Sequence, residues 1–535
     1  MFKKILLYFR TIKYIPLMQM GYYVYYVARR KVGAGKLPGT HSFGKAHELI
    51  VTKRMEAKVA YSGSPHTFSF LNRVVSFPEK IDWDYSSYGK LWTYQLNYFD
   101  FLGQPGLPVS TKLELMEDFL LQAPNLKTGF EPYCISLRNV NWIFFLAENK
   151  IRNERIEAFV GCQYQLLMKN VEYHLMANHL FENGISLMVG AHFFRDKKLQ
   201  DIGTKILTEE LPRQILEDGA HIERSPMYHY ILTKSVLDLL NVMTSNPFSE
   251  SDGLFERKIR KYAADMLGWL IQIDIDDSIP AFHDATNSVY GSTSKLVSYA
   301  KSLKVQPVLS TWKSSGYRKF ESGKYVLIMD VGEATPDYQP GHYHAGIFNF
   351  VLFVNRKPVI VDTGISTYEN NARRLYERGT EAHNTVQIDQ GNQSEVWSSF
   401  RLARRARVQL VNEDQKNVQA RHNGYSRLGI IDEVQVTNNG QLSITHRLIA
   451  LKTDFKGSRS QLFHIHFHPS VQNVRITDHM IELPGNIRMK LEGAVAIQEE
   501  KYSFAEDFNL LQPAIRLKIE LIDFCKISFI EESIT

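Results

Sequence analysis

The 535-residue chain has few cysteines and no long apolar run. Cys134, Cys162 and Cys525 are odd in number and widely spaced, which excludes a disulfide framework and a zinc-cluster spacing. The apolar run near the N-terminus ends at Arg10 after five residues, whereas a signal peptide needs roughly 7–15. No stretch reaches the roughly 18 uncharged apolar residues of a spanning helix. These absences predict a cytoplasmic protein without a transmembrane segment.

The chain also lacks a large excess of charge of either sign. A formal net charge of +6 at pH 7 is small for this length and argues against a nucleic-acid-binding protein. It leaves room for a cleft that attracts an acidic substrate. Residues 2–31 are basic and aromatic, which predicts a helix packed on the first domain, with weak attachment to a membrane surface as the alternative.

A chain of this length predicts two or more large domains. Apolar residues recur at helical spacing in 111–122, 139–149, 154–170, 184–194, 197–209, 231–244 and 254–274. Beyond residue 316 the pattern changes to short β-type runs such as 324–329, 347–354, 358–362 and 442–451. We therefore predict an α+β multidomain protein with a helical and mixed segment over 1–84, a helical domain over 85–315 and an antiparallel β-sandwich over 316–535.

The stretch from Gly341 to Asp389 holds three histidines and one aspartate among apolar runs. If His342 and His344 lie on a strand, both side chains point to the same side of the sheet, about 7 Å apart. Such a pair fits either a shared metal ion or a division of roles between metal ligand and base. The alternative is a pair of half-buried strand histidines with ordinary hydrogen bonds.

The helical half contains three polar clusters. In the first, the guanidinium of Arg138 can bind a carboxylate or sulfate and the indole of Trp142 can stack on a sugar ring, with Asn141 between them. The alternative is a capped helix with a buried tryptophan. In the second, Asn178 carries an amide that can donate to a carboxylate, and a polar helix cap is the alternative.

The same second cluster places His179 and Glu182 three residues apart, on one face of a helix that has begun. The third cluster, 217–230, has more hydrogen-bonding side chains than one loop needs. Tyr228 follows a proline within it, which places this side chain near the mouth of the helical domain.

Together these pieces resemble the heparinase II/III family of polysaccharide lyases over roughly residues 85–470. The residues that carry the resemblance occur in family order and are Ile135-Ser136-Leu137-Arg138 with Asn141-Trp142, Asn178-His179 with Glu182-Asn183-Gly184, Asp218-Gly219 with Glu223-Arg224-Ser225-Pro226 and Tyr228-His229, His342 and His344, Val361-Asp362-Thr363-Gly364, and Arg378-Gly379-Thr380 with Ala382-His383-Asn384. The resemblance implies an (α/α) toroid followed by antiparallel sheets, with the active site between them. One departure is Gly346, where family members often carry an aspartate.

The resemblance implies a carbon–oxygen lyase that cleaves a uronic-acid polysaccharide by β-elimination. Asn178 and His179 would hold the sugar carboxylate, and Tyr228 would protonate the leaving oxygen. The C5 proton would be taken by Tyr228 or by His342. The implied substrate-binding residues are Arg138, Asn141, Trp142, Glu182, Glu223 and Arg224. The substrate would be a glycosaminoglycan such as hyaluronan, chondroitin or heparan sulfate, an alginate, or a bacterial exopolysaccharide.

The resemblance also implies a structural divalent metal, zinc or else manganese or calcium, bound by His344, Asp362 and His383. A simple hairpin around 355–357 would instead place Asp362 opposite residues near 349–350, some 15–20 Å from His344 at about 3.3 Å per residue. The metal site therefore requires a bent sheet or another strand pairing.

Two other functions remain open from the sequence. One is a glycan-binding or capsule and exopolysaccharide assembly protein that keeps the binding cleft without turnover. The other is a hydrolase on the same toroid, which requires a pair of acidic residues across the cleft. Glu182, Glu223 and Asp284 are the candidates for that pair.

Overall fold

The computed structural model of the chain describes residues 2–31, 36–63, 65–250, 252–286, 289, 291–451, 459–472 and 474–531. Within these ranges, no helix is both long enough and apolar enough to cross a membrane. The helices are α1 (Phe2–Ile12), α2 (Leu17–Lys31), α3 (Lys90–Tyr98), α4 (Val109–Gln122), α5 (Pro132–Glu148), α6 (Glu154–Lys169), α7 (Ala177–Phe194), α8 (Lys197–Gln214), α9 (Pro226–Ser245), α10 (Asp252–Ile273), α11 (Thr293–Ser302) and α12 (Ala372–Glu377).

The helical domain has an inner and an outer layer. Helices α5, α7 and α9 are buried around most of their circumference, whereas α4, α8 and α10 bury only one face. The inner helix α7 packs against α5 and α9, and the outer helices α8 and α10 pack on α7 and α9. This arrangement of inner and outer helices agrees with the toroid that the family resemblance implies.

The second half is built from antiparallel strands. The strands of the chain are β1 (Tyr61–Ser62), β2 (His66–Phe70), β3 (Arg73–Phe77), β4 (Tyr317–Ser322), β5 (Tyr325–Asp330), β6 (Phe350–Val354), β7 (Lys357–Ile360), β8 (Val386–Ile388), β9 (Val396–Trp397), β10 (Arg401–Leu402), β11 (Val408–Glu413), β12 (Asn417–His422), β13 (Ile430–Asn438), β14 (Leu442–Ala450), β15 (Gln461–His466), β16 (Arg475–Thr477), β17 (Met480–Leu483), β18 (Ile487–Asp507) and β19 (Leu510–Glu531).

One ten-stranded sheet runs in the order β11-β12-β13-β14-β19-β18-β17-β16, with β15 and β8 attached beside β19. A four-stranded sheet, β4-β5-β6-β7, shares one apolar core with it. The shared core is built by side chains such as Leu327 and Leu352 from the small sheet and Ile444 and Ile527 from the large one. The predicted helical domain followed by antiparallel sheets is therefore confirmed.

The segment that carries His342 and His344 differs from its predicted form. Residues 341–349 form turns, and β6 begins only at Phe350. The prediction that the two histidines lie on a strand is wrong, because the apolar run after them becomes regular three residues later than its pattern indicates. The predicted position of Asp362 near residues 349–350 is confirmed, since Asn349 Nδ2 donates to Asp362 Oδ2 at 2.6 Å. The expected separation of 15–20 Å from His344 is wrong, because residues 341–349 turn back: Asp362 contacts His383, whose ring centroid is 5.4 Å from that of His344.

Candidate active site

The candidate site is organised around the carboxylate of Asp284, which is fully buried in the loop between α10 and α11. Its Oδ1 lies 2.8 Å from His344 Nε2, and its Oδ2 lies 2.9 Å from His342 Nδ1. The guanidinium of Arg374 on α12 donates to both oxygens, at 2.5 and 2.7 Å. Burial alone would raise the pKa of this carboxyl, but Arg374 and the two histidines outweigh burial and hold the pKa well below its ordinary value. Asp284 is therefore ionised at neutral pH, with both oxygens occupied.

His342 presents a free nitrogen to its surroundings. Because its Nδ1 faces the Asp284 carboxylate, the hydrogen-bond network assigns the proton to Nδ1 and leaves the Nε2 lone pair available. The Nε2 atom lies 3.5 Å from Asn178 Nδ2 and 4.0 Å from Glu223 Oε2. The Asn178 amide also donates to Glu223 Oε2 at 2.9 Å. The fold thus brings Asn178 from the first turn of α7 against His342 from the second half of the chain.

Tyr228 completes this group from the first turn of α9. Its ring centroid lies 3.8 Å from that of His342, and its hydroxyl lies 3.3 Å from the hydroxyl of Tyr368. Burial raises the pKa of the Tyr228 phenol above its ordinary value, and the nearby charge of Asp284 raises it further. Tyr228 therefore keeps its proton at neutral pH and is suited to act as an acid.

His179 and Glu182 share the helix of Asn178 but have different surroundings. His179 Nδ1 lies 3.1 Å from Glu172 Oε1; burial would lower the pKa of this imidazole, but Glu172 outweighs burial and raises it. Glu182 is one turn beyond Asn178 and lies on the same helix face. Its Oε1 accepts a 2.6 Å hydrogen bond from Ser235, and burial raises its pKa to about 7. Near neutral pH this side chain exchanges between a neutral acid and a carboxylate.

The backbone in front of two site residues is left-handed. Met176 and Ala177, with φ of 59° and 49°, immediately precede Asn178. His283, with φ of 56°, immediately precedes Asp284. Each such conformation costs a non-glycine residue about 1–3 kcal/mol, and strain of this kind concentrates at functional sites, where the surrounding packing enforces it.

Two residues predicted to bind substrate lie in the core of the helical domain. Arg138 is fully buried and directs its donors to the Gln163 side chain and to two backbone carbonyls. Trp142 is fully buried among three phenylalanine rings. Both side chains are enclosed by protein atoms, so the structure gives them a place in the core and no observed role in binding a substrate. The alternative is confirmed in part: the tryptophan is buried, but the Glu131 side chain does not cap the N-terminus of α5.

Asn141 and Arg224 are likewise held by protein partners. The Asn141 amide donates to Asp100 and to a backbone carbonyl, and its oxygen accepts from Arg54. Arg224 is buried, donates to two backbone carbonyls and lies 3.7 Å from the carboxylate of Asp330. Their donors and acceptors are used within the fold, so these contacts do not support the predicted roles in substrate binding, which stay predictions.

The three predicted metal ligands lie close together but do not form a three-ligand set. The rings of His344 and His383 are 5.4 Å apart. Asp362 Oδ2 lies 2.7 Å from His383 Nδ1, so this carboxylate supports the imidazole from behind. Over the described ranges, no group of three or more His, Cys, Asp or Glu side chains is arranged to hold a metal ion.

Two nitrogen atoms at this point nevertheless have the character of metal ligands. His344 Nδ1 and His383 Nε2 are buried and have no hydrogen-bond partner. The other nitrogen of each ring contacts a carboxylate, Asp284 for His344 and Asp362 for His383. A carboxylate behind an imidazole fixes its lone pair and is the usual support of a metal-bound histidine. The residues therefore fit two ligands of a metal ion, with Asp362 in a supporting position.

Gly346, the departure from the family pattern, lies against His383. A Cβ atom at this position would be 2.7 Å from His383 Cγ, a distance at which one of the two must move. An aspartate here is therefore incompatible with the present position of the His383 ring.

A cavity of about 650 Å³ is lined in part by the chain segment that carries Tyr368 and Arg374. Its lining includes Arg73 from β3, Tyr88, and Glu369 and Arg373 from that segment. Arg73 is exposed, its guanidinium lies 5.6 Å from the Tyr88 ring centroid, and it makes no ion pair within the described part of the chain. The cavity thus presents an available cation next to an aromatic ring.

Three residues of the site were not assigned to it from the sequence. Asp284 was considered only as one member of a hydrolase pair, whereas it orients two histidines. Arg374 and Tyr368 lie in a segment without a recognisable pattern. Their roles are visible only in the fold, where α12 brings Arg374 onto Asp284 and the loop before α12 brings Tyr368 onto Tyr228.

Known proteins share both the sequence pattern and the fold. Residues 135–309 match the family model described as heparinase II/III N-terminus, and residues 307–522 match that described as heparinase II/III-like, C-terminal. A heparin-sulfate lyase of Pedobacter heparinus is 25% identical over 257 residues, which are 42% of this chain and 38% of that protein. The match thus spans less than half of the length of this relative.

Solved structures extend the likeness to most of the fold. A crystal structure of heparinase III has a TM-score of 0.64 at 15% identity and covers 86% of this chain and 81% of its own. The heparan sulfate lyase HepC from Pedobacter heparinus has a TM-score of 0.53 at 15% identity, with 86% and 80% covered. At such identities the likeness concerns the fold alone. The two consecutive family models and the conserved order of domains establish that the chain belongs to the heparinase II/III family.

Proposed function

We propose that the protein is a polysaccharide lyase that cleaves a uronic-acid-containing polysaccharide by β-elimination. The observation that carries this proposal is the contact between a protonated phenol, Tyr228, and an imidazole with a free Nε2, His342, beside the Asn178 amide. An acid, a base and a carboxylate-binding donor are the three groups that β-elimination from a uronate needs.

In the proposed reaction, His342 Nε2 removes the C5 proton of the uronate. The electron pair of that C–H bond forms the C4–C5 double bond, and the bond from C4 to the leaving oxygen breaks. The leaving oxygen takes the hydroxyl proton of Tyr228. Asp284 stabilises the imidazolium that forms, because its Oδ2 is already 2.9 Å from His342 Nδ1. Tyr228 regains a proton, and His342 loses one, before the next turnover.

The carboxylate beside C5 must be neutralised before the proton can leave. Asn178 offers an amide donor, and the raised pKa of His179 favours a cationic imidazole. Glu182, with a pKa of about 7, offers a neutral carboxyl on the same face of α7. A protonated acid can donate to a sugar carboxylate, whereas an ionised one repels it.

The stacking of Tyr228 on His342 favours one stereochemistry. Rings whose centroids are 3.8 Å apart leave no space for a sugar between them, so base and acid approach the substrate from one side. We therefore infer a preference for a uronic acid whose C5 hydrogen and C4 oxygen share a face, as in glucuronic acid, over its C5 epimer, iduronic acid.

The cavity lined by Arg73 and Tyr88 is the proposed place for a neighbouring acidic sugar of the chain. A guanidinium can bind a carboxylate or sulfate in bidentate fashion, and an aromatic ring can stack on a sugar face. The substrate class is a glycosaminoglycan or a related bacterial exopolysaccharide.

A structural divalent ion, zinc or else manganese or calcium, remains part of the proposal. His344 Nδ1 and His383 Nε2 would hold it, and it would supply rigidity at the base of the loop that carries His342. Elemental analysis of purified protein should find about one ion per chain, lost in His383→Ala. Metal-free protein with full activity and unchanged melting temperature would reject the ion.

The function is tested by incubating the protein with polyuronates of both C5 epimers and following the ultraviolet absorbance of the unsaturated product. Tyr228→Phe should lower kcat by about 10²–10⁴ while substrate binding is retained. Tyr425→Phe, which removes a hydroxyl in the core of the β domain, is the control and should turn over normally.

Product masses separate the alternatives. Elimination gives an end that is one water lighter than the end left by hydrolysis. Binding without any product would favour the glycan-binding protein over the lyase. A saturated product would favour the hydrolase, although Asp284, with both oxygens occupied, is poorly placed to act in it.

A further inference from the structure

The first two helices form a surface whose composition differs from the rest of the chain. Residues 1–47 contain nine Lys and Arg and no Asp or Glu, and the first acidic residue is Glu48. We call the segment formed by α1 and α2 the N-terminal hairpin. Its charge is therefore of one sign throughout.

The outer face of α1 is apolar. Ile5, Tyr8, Phe9 and Ile12 are all exposed, and Phe9 is 68% exposed. Tyr8 lies at the edge of this face, because its ring also contacts Trp397, with centroids 5.0 Å apart. At 100° per residue these four side chains fall within about 100° of one another, so they form one continuous stripe. Helices of soluble domains normally turn such a stripe inward.

Helix α2 also exposes apolar side chains. Leu17 is 82% exposed and Val24 is 67% exposed, and Met18, Tyr23 and Tyr25 are also exposed. Monomeric soluble proteins rarely expose a contiguous apolar patch of this kind, and such patches mark interaction sites.

The inner face of the hairpin is held by the rest of the molecule. On α1, Arg10 pairs with Glu395 at 3.0 Å, and Thr11 accepts a hydrogen bond from Trp397. On α2, Gln19 donates to the carbonyl of His174. Each helix therefore packs on the rest of the protein through a different face from the one that carries the exposed apolar side chains.

A second set of contacts fixes α2 beside the active-site loop. Tyr26 donates to the carbonyl of Val171, and Tyr22 stacks on Tyr173 with ring centroids 4.8 Å apart. The loop that begins here carries Glu172, the partner of His179. Whatever binds the outer face of the hairpin is therefore held close to the catalytic half of the helical domain.

We propose that the outer face of the N-terminal hairpin docks on the surface of an anionic lipid bilayer. Exposed aliphatic and aromatic side chains would enter the headgroup region, while lysines and arginines contact acidic headgroups. At 1.5 Å per residue, α1 and α2 are about 16 and 22 Å long, shorter than the roughly 30 Å hydrocarbon core, so they lie along the surface.

The positive charge and the apolar side chains of this surface together favour an anionic bilayer over a second copy of the chain or an acidic polysaccharide. Two copies of the hairpin paired about a twofold axis would bring basic residues together without an acidic partner. An acidic polysaccharide would satisfy the basic residues but would gain nothing from Leu17, Phe9 or Val24. Only an anionic bilayer complements both the charge and the apolar stripe.

The test is co-sedimentation of the full chain with vesicles of phosphatidylcholine alone and of phosphatidylcholine containing phosphatidylglycerol. Binding should require phosphatidylglycerol and should weaken as salt is raised. The double variant Phe9→Asp, Val24→Asp should bind these vesicles at least about tenfold more weakly. Leu254→Asp, a residue 71% exposed on α10, is the matched control and should bind as the parent does.

Circular dichroism and melting temperature confirm that the variants are folded, and the assay contains no sugar, so its outcome is independent of the proposed lyase activity. The proposal would be overturned if the folded parent protein did not co-sediment with anionic vesicles. Equal binding by the double variant would also overturn it. Self-association of the parent that the double variant abolishes, without lipid binding, would instead assign the surface to a second copy of the chain.

Discussion

Replacing Asp284 with asparagine tests whether this carboxylate makes His342 a base. Asparagine has nearly the same shape, but it is neutral and has only one oxygen. Each Asp284 oxygen accepts one hydrogen bond from Arg374 and one from a histidine, His342 or His344. The asparagine amide nitrogen must take the place of one of these oxygens, so it faces two N–H donors. Either orientation therefore sets a donor against two donors.

Two magnitudes follow from this geometry. Without a carboxylate at Nδ1, the His342 proton is no longer held there and the imidazolium is no longer stabilised, so kcat should fall by about 10²–10⁴, the usual contribution of general acid–base catalysis. Arg374 is fully buried and loses the carboxylate that compensates its charge. Breaking such a buried pair costs about 3–5 kcal/mol in the free energy of unfolding.

The assay combines initial rates of unsaturated-product formation with thermal melting. Asp330→Asn is the matched control, because Asp330 is also fully buried and lies near an arginine and a histidine, Arg224 and His283. It should lose stability but keep kcat within about tenfold of the parent, since it does not orient the proposed base. A folded Asp284→Asn protein with near-parental kcat would refute the role given to Asp284.

Three further results are expected. In the parent, KM should rise above pH 7, because the Glu182 carboxyl, with a pKa of about 7, ionises there and repels the acidic substrate. Glu182→Gln should remove this rise, since glutamine does not titrate. An unchanged pH profile of KM in the variant would contradict this. Burial lowers the pKa of His229 to about 4. Between pH 6.5 and 4 the unfolded chain therefore binds a proton at this residue that the folded chain does not, so about 3 kcal/mol of stability is present above this pH range and is lost as pH falls through it. Melting temperatures of His229→Gln should decline less steeply with acid than those of the parent. If the cavity lined by Arg73 binds a neighbouring sugar that does not react, as proposed, Arg73→Ala should raise KM several-fold with kcat retained. Arg475→Ala, another exposed arginine, is its control in the same kinetic assay.

The periodic part of the fold was predictable because burial repeats regularly along helices and strands. The helix expected over 231–244 extends from Pro226 to Ser245, and the run over 442–451 is strand β14. The start of α7 was missed by seven residues, since the predicted helix began at residue 184. Asn178, His179 and Glu182 interrupt the apolar period there. Because polar residues of the site occupy the first turns of α7, the apolar repeat that predicts a helix begins later than the helix itself.

The site was predictable only in part, for a related reason. A polar residue in a helical pattern indicates that a partner exists, but not whether that partner belongs to the protein or to a ligand. Arg138 and Asn178 look alike in this respect. In the fold, Arg138 finds Gln163 and two carbonyls, whereas the Asn178 side-chain oxygen is buried without a partner.

The hydrogen bonds left unmade after folding are one guide to the site, but they do not define it alone, because Trp142 Nε1 and Gln163 Nε2 in the helical core are also buried without a partner. His344 and His383 each have one nitrogen held by a carboxylate and one buried nitrogen without a partner. His342 differs from them, since its Nδ1 is bound to Asp284 and its Nε2 has a long contact, 3.5 Å, with the Asn178 amide. A buried polar atom without a partner is costly, so each one calls for an explanation. At this site the explanation comes from what surrounds such an atom: Asn178 lies against His342, and His342 lies against Tyr228 and Asp284. That convergence, rather than any single motif or unpaired atom, locates the chemistry.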